Sequence, residues 1–268
     1  MNLDTKLYNM EGKEAKSIQL PAVFAGKARP DLLKRALLSE QSRDYQPQAH
    51  ALLAGLQTTA TYVGRYDASW RRGRHMGQAI RPRQMLGGGA QGDVRRIPSA
   101  VKGRRAHPHK LERRIEEKIN RKEYAKAIEA AIAGCADVTL INSFRKFEGK
   151  HLPIVIEDKI ENVKRTKELL TVLNALGLGS DIEKSHSPSK RKGKRRMTSQ
   201  RKFRKSVLIV VKNAESVEKA GRNIPGIDVC SISSLSISKL APGAMPRITV
   251  WSESAVNGVE KEIKKASA

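Results

Sequence analysis

Aromatic residues are scarce, 4% of the 268 positions. A platform on which successive bases stack needs several of them, so single-strand readers of that kind are excluded. Cysteine is scarcer still: Cys135 and Cys230 form no CxxC pair and stand beside apolar residues. That favours small core side chains in a reducing compartment over a disulfide or a zinc site. No apolar run reaches the length of a bilayer span, and the N-terminal stretch mixes charge with short apolar pieces instead of forming a signal-peptide core. The expected location is the cytosol, with no membrane partner. Also missing are G-x-S-x-G, H-E-x-x-H and P-loop sequences, a pattern of paired carboxylates, and any internal repeat. Nothing here asks for catalysis, a metal or a cofactor.

What the chain has in excess is positive charge. It carries 52 Lys and Arg against 27 Asp and Glu, a formal net charge of +25. The excess is concentrated. Residues 65–105 hold eleven basic side chains against Asp67 and Asp93, and residues 184–205 hold eleven against none. These two runs supply twenty of the twenty-five net charges, so the remaining chain is almost balanced. Its 39% hydrophobic content is enough for a packed core. An ordinary body with two concentrated cationic excursions is built to meet a polyanion.

Charge runs are often only solvated surface, but the first run is almost wholly arginine, which suits bidentate phosphate contacts better than simple solubility. Trp70, Met76, Met85, Leu86 and Ile97 are interleaved with it. Apolar side chains among arginines suit the crevices and splayed bases of folded RNA better than a regular duplex. Self-repulsion leads to the expectation that both runs lack a fixed shape until phosphates neutralise them.

Two motifs invite sharper readings. Gly87-Gly-Gly-Ala-Gln-Gly92 matches G-x-G-x-x-G, yet a dinucleotide fingerprint must follow a strand and open a helix. Arg81-Pro-Arg83 before it and two arginines and Pro98 after it make the wrong context. Flexibility and close approach of backbone to RNA explain these glycines better. His107-Pro-His109 has no carboxylate or cysteine at ligand spacing, and Arg104, Arg105 and Lys110 would repel a cation, so phosphate contact or solvation is its expected role.

Periodicity organises the rest. Residues 5–9 and 15–20 alternate as a hairpin turning at Glu11-Gly12. Pro30-Asp31 opens a helix burying Leu32, Leu33, Ala36 and Leu37. From about 50 to 119 regular patterning fails, apart from Leu111, Ile115 and Ile119, whose spacing suggests a short helix. Asn120 and Glu123 resemble a capping box for a helix that stops at Gly134. Strands at 152–157, 207–211, 227–231 and 248–251 then alternate with helices at 163–176 and 214–222 and one at the C-terminus. This predicts an α/β fold: a mostly parallel central sheet flanked by helices, with a long extended internal loop. The predicted layout is one globular domain from 1–49 and 120–268, an inserted loop at 50–119, and a second basic loop at 184–205.

Several segments carry a resemblance to a known family. They are Arg96-Ile-Pro-Ser-Ala-Val-Lys-Gly-Arg-Arg-Ala-His-Pro-His109, Ile119-Asn-Arg-Lys-Glu123, Ala127-Ile-Glu-Ala-Ala131 and Leu152-Pro-Ile-Val-Ile-Glu-Asp158. They continue with Gly193-Lys-Arg-Arg-Met197, Val207-Leu-Ile-Val-Val211, Asn223-Ile-Pro-Gly-Ile-Asp228, Leu240-Ala-Pro-Gly243 and Ile248-Thr-Val-Trp251. In this order they resemble the universal ribosomal large-subunit protein four family, in its archaeal/eukaryotic branch, at archaeal length. The resemblance implies a non-enzymatic constituent of the large ribosomal subunit whose partners are large-subunit (23S-type) rRNA, neighbouring ribosomal proteins and the nascent polypeptide.

The resemblance also implies that the inserted loop threads through rRNA and lines the peptide exit tunnel. The rRNA-binding candidates are Arg65, Arg71, Arg72, Arg74, Arg81, Arg83, Arg95, Arg96, Lys102, Arg104 and Arg105 in the first run. In the second they are Lys190, Arg191, Lys192, Lys194, Arg195, Arg196, Arg201, Lys202 and Arg204. Arg71, Arg72, Arg74, His75 and Met76 are the tunnel-proximal candidates. The other reading of the charge is a free-standing basic RNA- or DNA-binding regulatory protein.

Overall fold

The computed structural model describes residues 4–62, 79–145, 151–187 and 203–267. The chain divides into two compact units, a body (Met1–Asp44 with Glu116–Ala268) and a second unit (Tyr45–Ile115). The body begins with β1 (Asp4–Tyr8), β2 (Glu14–Gln19) and α1 (Pro30–Asp44). The second unit contributes β3 (Thr61–Tyr62), β4 (Pro82–Met85) and β5 (Gln91–Val94). The body resumes with α2 (Arg121–Ala136), α3 (Val138–Phe144), β6 (Ile154–Ile156), α4 (Thr166–Ala175) and α5 (Gly179–His186). It ends with β7 (Leu208–Val211), α6 (Glu215–Gly221), β8 (Asp228–Ser231), α7 (Ile237–Leu240), β9 (Thr249–Ser252) and α8 (Glu253–Ser267).

The body's six strands lie in the order β2-β1-β6-β9-β7-β8. Only the β1–β2 hairpin is antiparallel; every other neighbour pair is parallel. The expected α/β class with a mostly parallel sheet is observed. Short all-apolar strands follow from burial on both faces, since alternate side chains must enter opposite cores. Val155, Leu208, Val210 and Trp251 pack with α1, α2, α7 and α8. Ile154, Ile156, Ile209, Val211 and Val250 pack on the other side with residues of α3, α4, α5 and α6. Both cysteines are buried in the first core, as expected, and burial pushes the thiols up, Cys135 to about 12 and Cys230 to about 11.

Three local expectations change. No helix forms over residues 111–119; within the body the Glu117 backbone bonds to α1 instead, Ser39 Oγ donating to its carbonyl (2.6 Å) and its N–H donating to Ser42 Oγ (2.9 Å). Asn120 is the N-cap of α2 but makes no side-chain cap bond, and Glu123 pairs instead with Arg35 at 3.0 Å. Gly134 does not end α2. It lies inside the helix where a Cβ would stand 2.6 Å from Pro246 Cγ, so close packing is what requires glycine there. Helices α3, α5 and α7 carried no sequence pattern strong enough to read.

The largest fully buried side chain is Trp251 in β9. Its indole N–H donates to Thr249 Oγ1 (2.9 Å), and Phe24 meets its ring edge-on at 5.4 Å between centroids. Trp251→Ala should cost the body about 3–5 kcal/mol, read as a lower denaturant midpoint in urea unfolding.

Candidate nucleic-acid interface

The second unit contains a small antiparallel sheet in the order β3-β4-β5, inside the stretch where patterning had failed. The G-x-G-x-x-G sequence is the β4–β5 turn: the Leu86 N–H donates to the Ala90 carbonyl (2.9 Å), and Gly88 takes the left-handed φ of +71° that the turn needs. A strand follows it, not a helix. The sequence therefore lacks the helix N-terminus that would hold a pyrophosphate.

The Arg95 N–H extends the pairing by donating to the Pro82 carbonyl (2.9 Å). The Arg95 side chain then turns inward, only 14% exposed. Its Nη1 donates to the Val101 carbonyl (2.8 Å), and its Nη2 reaches Asp93 at 3.1 Å. Arg96 Nη1 donates to the Ala60 carbonyl (3.2 Å), and half-buried Arg83 reaches back to the Ala79 carbonyl. The backbone of this part of the first run is thus bonded internally, with Arg95 a cation spent on the loop's own carbonyl and carboxylate.

Among the first-run candidates, Arg81, Arg96, Lys102, Arg104 and Arg105 are exposed, as are His107 and His109. Arg65, Arg71, Arg72, Arg74, His75 and Met76 lie outside the described residues. So do Lys190, Arg191, Lys192, Lys194, Arg195, Arg196, Arg201 and Lys202 of the second run.

The body holds both ends of that second run, and sequence reading missed how. Helix α5 carries the run's first residues, and its Asp181 is buried. Arg145, at the C-cap of α3, donates to Asp181 Oδ2 (3.2 Å), to the Ser206 carbonyl (3.0 Å) and to the Lys205 carbonyl (2.7 Å). The Ser206 hydroxyl donates to the same Asp181 oxygen (2.7 Å), and Arg204 approaches the other at 3.5 Å. Beside it, Asp228 meets Lys205 Nζ and the fully buried Arg247, each at 2.8 Å. Burial alone would raise the Asp228 carboxyl, but the Arg247 and Lys205 charges outweigh it and hold it below the usual carboxylate range. Between the two ends, Gly226 donates no Cβ: one there would stand 2.6 Å from the Arg204 carbonyl and from Ser185 Cβ. Arg204, a candidate RNA ligand by sequence, is thus also a partner of Asp181.

An open α/β sheet binds ligands at the C-terminal strand ends, where successive connections leave on opposite faces. Here β9 leads to α8 on one face while β6 and β7 lead to the other. Glu161 fills that crevice. Its Oε1 accepts from the Lys212 N–H (2.8 Å), Ser252 Oγ (2.9 Å) and Ser254 Oγ (3.0 Å), and its Oε2 accepts from the Asn213 N–H (3.3 Å). Asp158 Oδ1 accepts the Ser254 N–H (2.8 Å) at the start of α8. The donors that would cradle a phosphate are committed to the chain's own carboxylates. The adjoining cleft of about 700 Å³ is lined by Asp158, Glu253 and Glu262 against Lys212 and Lys261, so its lining carries no excess positive charge for an anion.

The body is thus a doubly wound α/β fold whose crevice is filled by its own carboxylates, and a basic unit is inserted into its chain. The chain belongs to the ribosomal protein L4/L1 family, which it matches over residues 18–262. It is similar to the large ribosomal subunit protein uL4 of Methanocaldococcus jannaschii, 38% identical over 96% of this chain and 98% of that protein. The proteins of the same name from Archaeoglobus fulgidus and Methanococcoides burtonii are each 40% identical over 95% of this chain, covering 97% and 96% of their own lengths.

Two outcomes follow from the ionic cluster. Arg145→Ala leaves Asp181 buried beside fewer cations and should destabilise the body by about 3–5 kcal/mol in urea unfolding. Asp228 has a depressed folded pKa, so its stabilisation is present above the unfolded value of about 4 and is lost as pH falls below it. In acid titrations followed by circular dichroism, Asp228→Asn should flatten that part of the unfolding curve.

Proposed function

We propose that this ribosomal protein is a structural constituent of the large subunit that binds large-subunit rRNA through its two basic runs. The observation that carries the reading is the surface of the second unit. Arg81, Lys102, Arg104 and Arg105 are exposed there together with Tyr45, Leu52, Leu53, Tyr62, Ile80, Met85, Leu86, Val101 and Leu111. A small unit that leaves this much apolar and cationic surface in water is made to be covered. Folded RNA supplies both complements, phosphates for the charges and open base and sugar faces for the apolar side chains. The body keeps its own charge largely balanced and supports the roots of the second run.

On this reading affinity comes largely from counterion release as Arg and Lys neutralise phosphates, and the protein screens RNA helices where they converge. The candidates Arg71, Arg72, Arg74, His75 and Met76 then form part of the exit-tunnel wall, next to the nascent polypeptide. Neighbouring ribosomal proteins complete the surroundings, and the protein works ribosome-bound in the cytoplasm. Catalysis has no place in this role.

Co-sedimentation tests the reading. The protein should stay with large subunits at salt concentrations that strip non-specific binders; release together with them would favour a free-standing nucleic-acid binder. In direct rRNA binding, replacing Arg104 and Arg105 together by Gln should reduce the slope of log K against log salt by about 1.4 to 1.8, the loss of two phosphate contacts.

A further inference from the structure

We infer that Val101 is a preformed apolar wedge for an open base step or splayed base of RNA, and that Arg95 is the residue that positions it. This deepens the rRNA-binding reading above and rests on it. Val101 is 82% exposed, although the loop that carries it is tightly determined. The Arg95 guanidinium holds the Val101 carbonyl at 2.8 Å from a mostly buried position. The Ala100 N–H donates to the Ile97 carbonyl (3.2 Å) and the Gly103 N–H to the Ala100 carbonyl (3.0 Å). Arg96 and Lys102 take left-handed backbone angles of +69° and +58°, which side chains other than glycine avoid.

Gly103 closes the loop so tightly that a Cβ would stand 2.0 Å from the Ile97 carbonyl oxygen. A flexible or solvated loop has no use for these constraints. The loop's backbone also packs within the unit, since a Cβ on Gly55 would stand 2.7 Å from the Gly103 carbonyl oxygen, but that packing leaves the Val101 side chain in water.

What they fix is an aliphatic group next to Lys102 and close in sequence to Arg104 and Arg105, all exposed. That combination matches a site where phosphate and an unstacked base are adjacent. Regular A-form duplex offers the phosphates but no open base face, whereas junctions, bulges and loops offer both. Arg95 acts through the loop, not by touching the ligand. Its one ring of contacts is internal, so its charge does not enter the phosphate count.

The full-length protein is titrated with in vitro transcribed large-subunit rRNA, and with an A-form RNA duplex as comparator, across a range of salt. Val101→Ser removes no charge and touches no core. It should lower rRNA affinity about tenfold, the value of losing roughly two buried methyl groups, with the salt slope and duplex affinity unchanged. Arg95→Gln should give a similar loss, again at constant slope. Wild-type rRNA affinity in Val101→Ser, or equal losses on rRNA and duplex, overturns the wedge. A slope that falls by about 0.7 to 0.9 in Arg95→Gln makes Arg95 a phosphate ligand and overturns the positioning role. Failure of the wild-type protein to prefer rRNA over duplex would defeat the ribosomal reading itself, a result separable from any effect of Val101.

Discussion

Asp181 and Asp228 each stand against two cations, Arg145 with Arg204 and Arg247 with Lys205. A chain of net charge +25 cannot bring four basic groups into one corner of its body without such counter-charge. At low dielectric their mutual repulsion would exceed what local packing offers. The two carboxylates convert that repulsion into a junction where α3, α5, β7 and β8 meet. The described ends of the second basic run both lie at this junction. The neighbouring Pro225-Gly226 turn fits between the two ends because glycine leaves room, and the Ser206 N–H donates to the Gly226 carbonyl (2.7 Å).

The division of labour among arginines follows from the same electrostatics. Some are consumed inside the protein: Arg145, Arg247 and, in the second unit, Arg95. Others, such as Arg104 and Arg105, keep their guanidinium groups in solvent. The first group fixes shape, and the second is the group proposed to meet rRNA phosphates. Acids show a matching division. Half-buried Glu161 and exposed Asp158 hold donors at the C-terminal ends of the strands, and Glu40 accepts from the Tyr124 hydroxyl and from the N–H groups of Ile237 (2.9 Å) and Ser238 (2.8 Å). Glu40, Asp158 and Glu161 thus hold backbone donors, whereas Asp181 and Asp228 neutralise cations.

Sequence periodicity made the body legible because burial on both faces leaves unmistakable runs such as Val207 to Val211, and because Pro30 and Gly177 punctuate helices in the usual way. The small sheet of the second unit was not legible. Its strands are two to four residues long, too short for alternation to register, and its stability comes from backbone bonds and the Arg95 brace. Glycines 87–92 could be excluded as a nucleotide fingerprint from their flanks, yet that they turn a hairpin required the structure. The least visible feature was which charged residues turn inward. In the sequence Arg145 and Arg247 look like any surface arginine, and only the three-dimensional position of a carboxylate tells them apart. Helix α5 was hidden for a related reason, since Lys184 and His186 at its end read as part of the basic run.

The strand order carries a consequence for timing. Strand β9 sits in the middle of the body's sheet but is the last of its strands along the chain, and β1 waits for β6, with the whole inserted unit in between. During synthesis the second unit is therefore made before either of these parallel pairings can form. The body cannot acquire its central strand until residues 249–252 have been produced. Both cationic segments are thus made before the fold that carries them can be completed, the first of them well before.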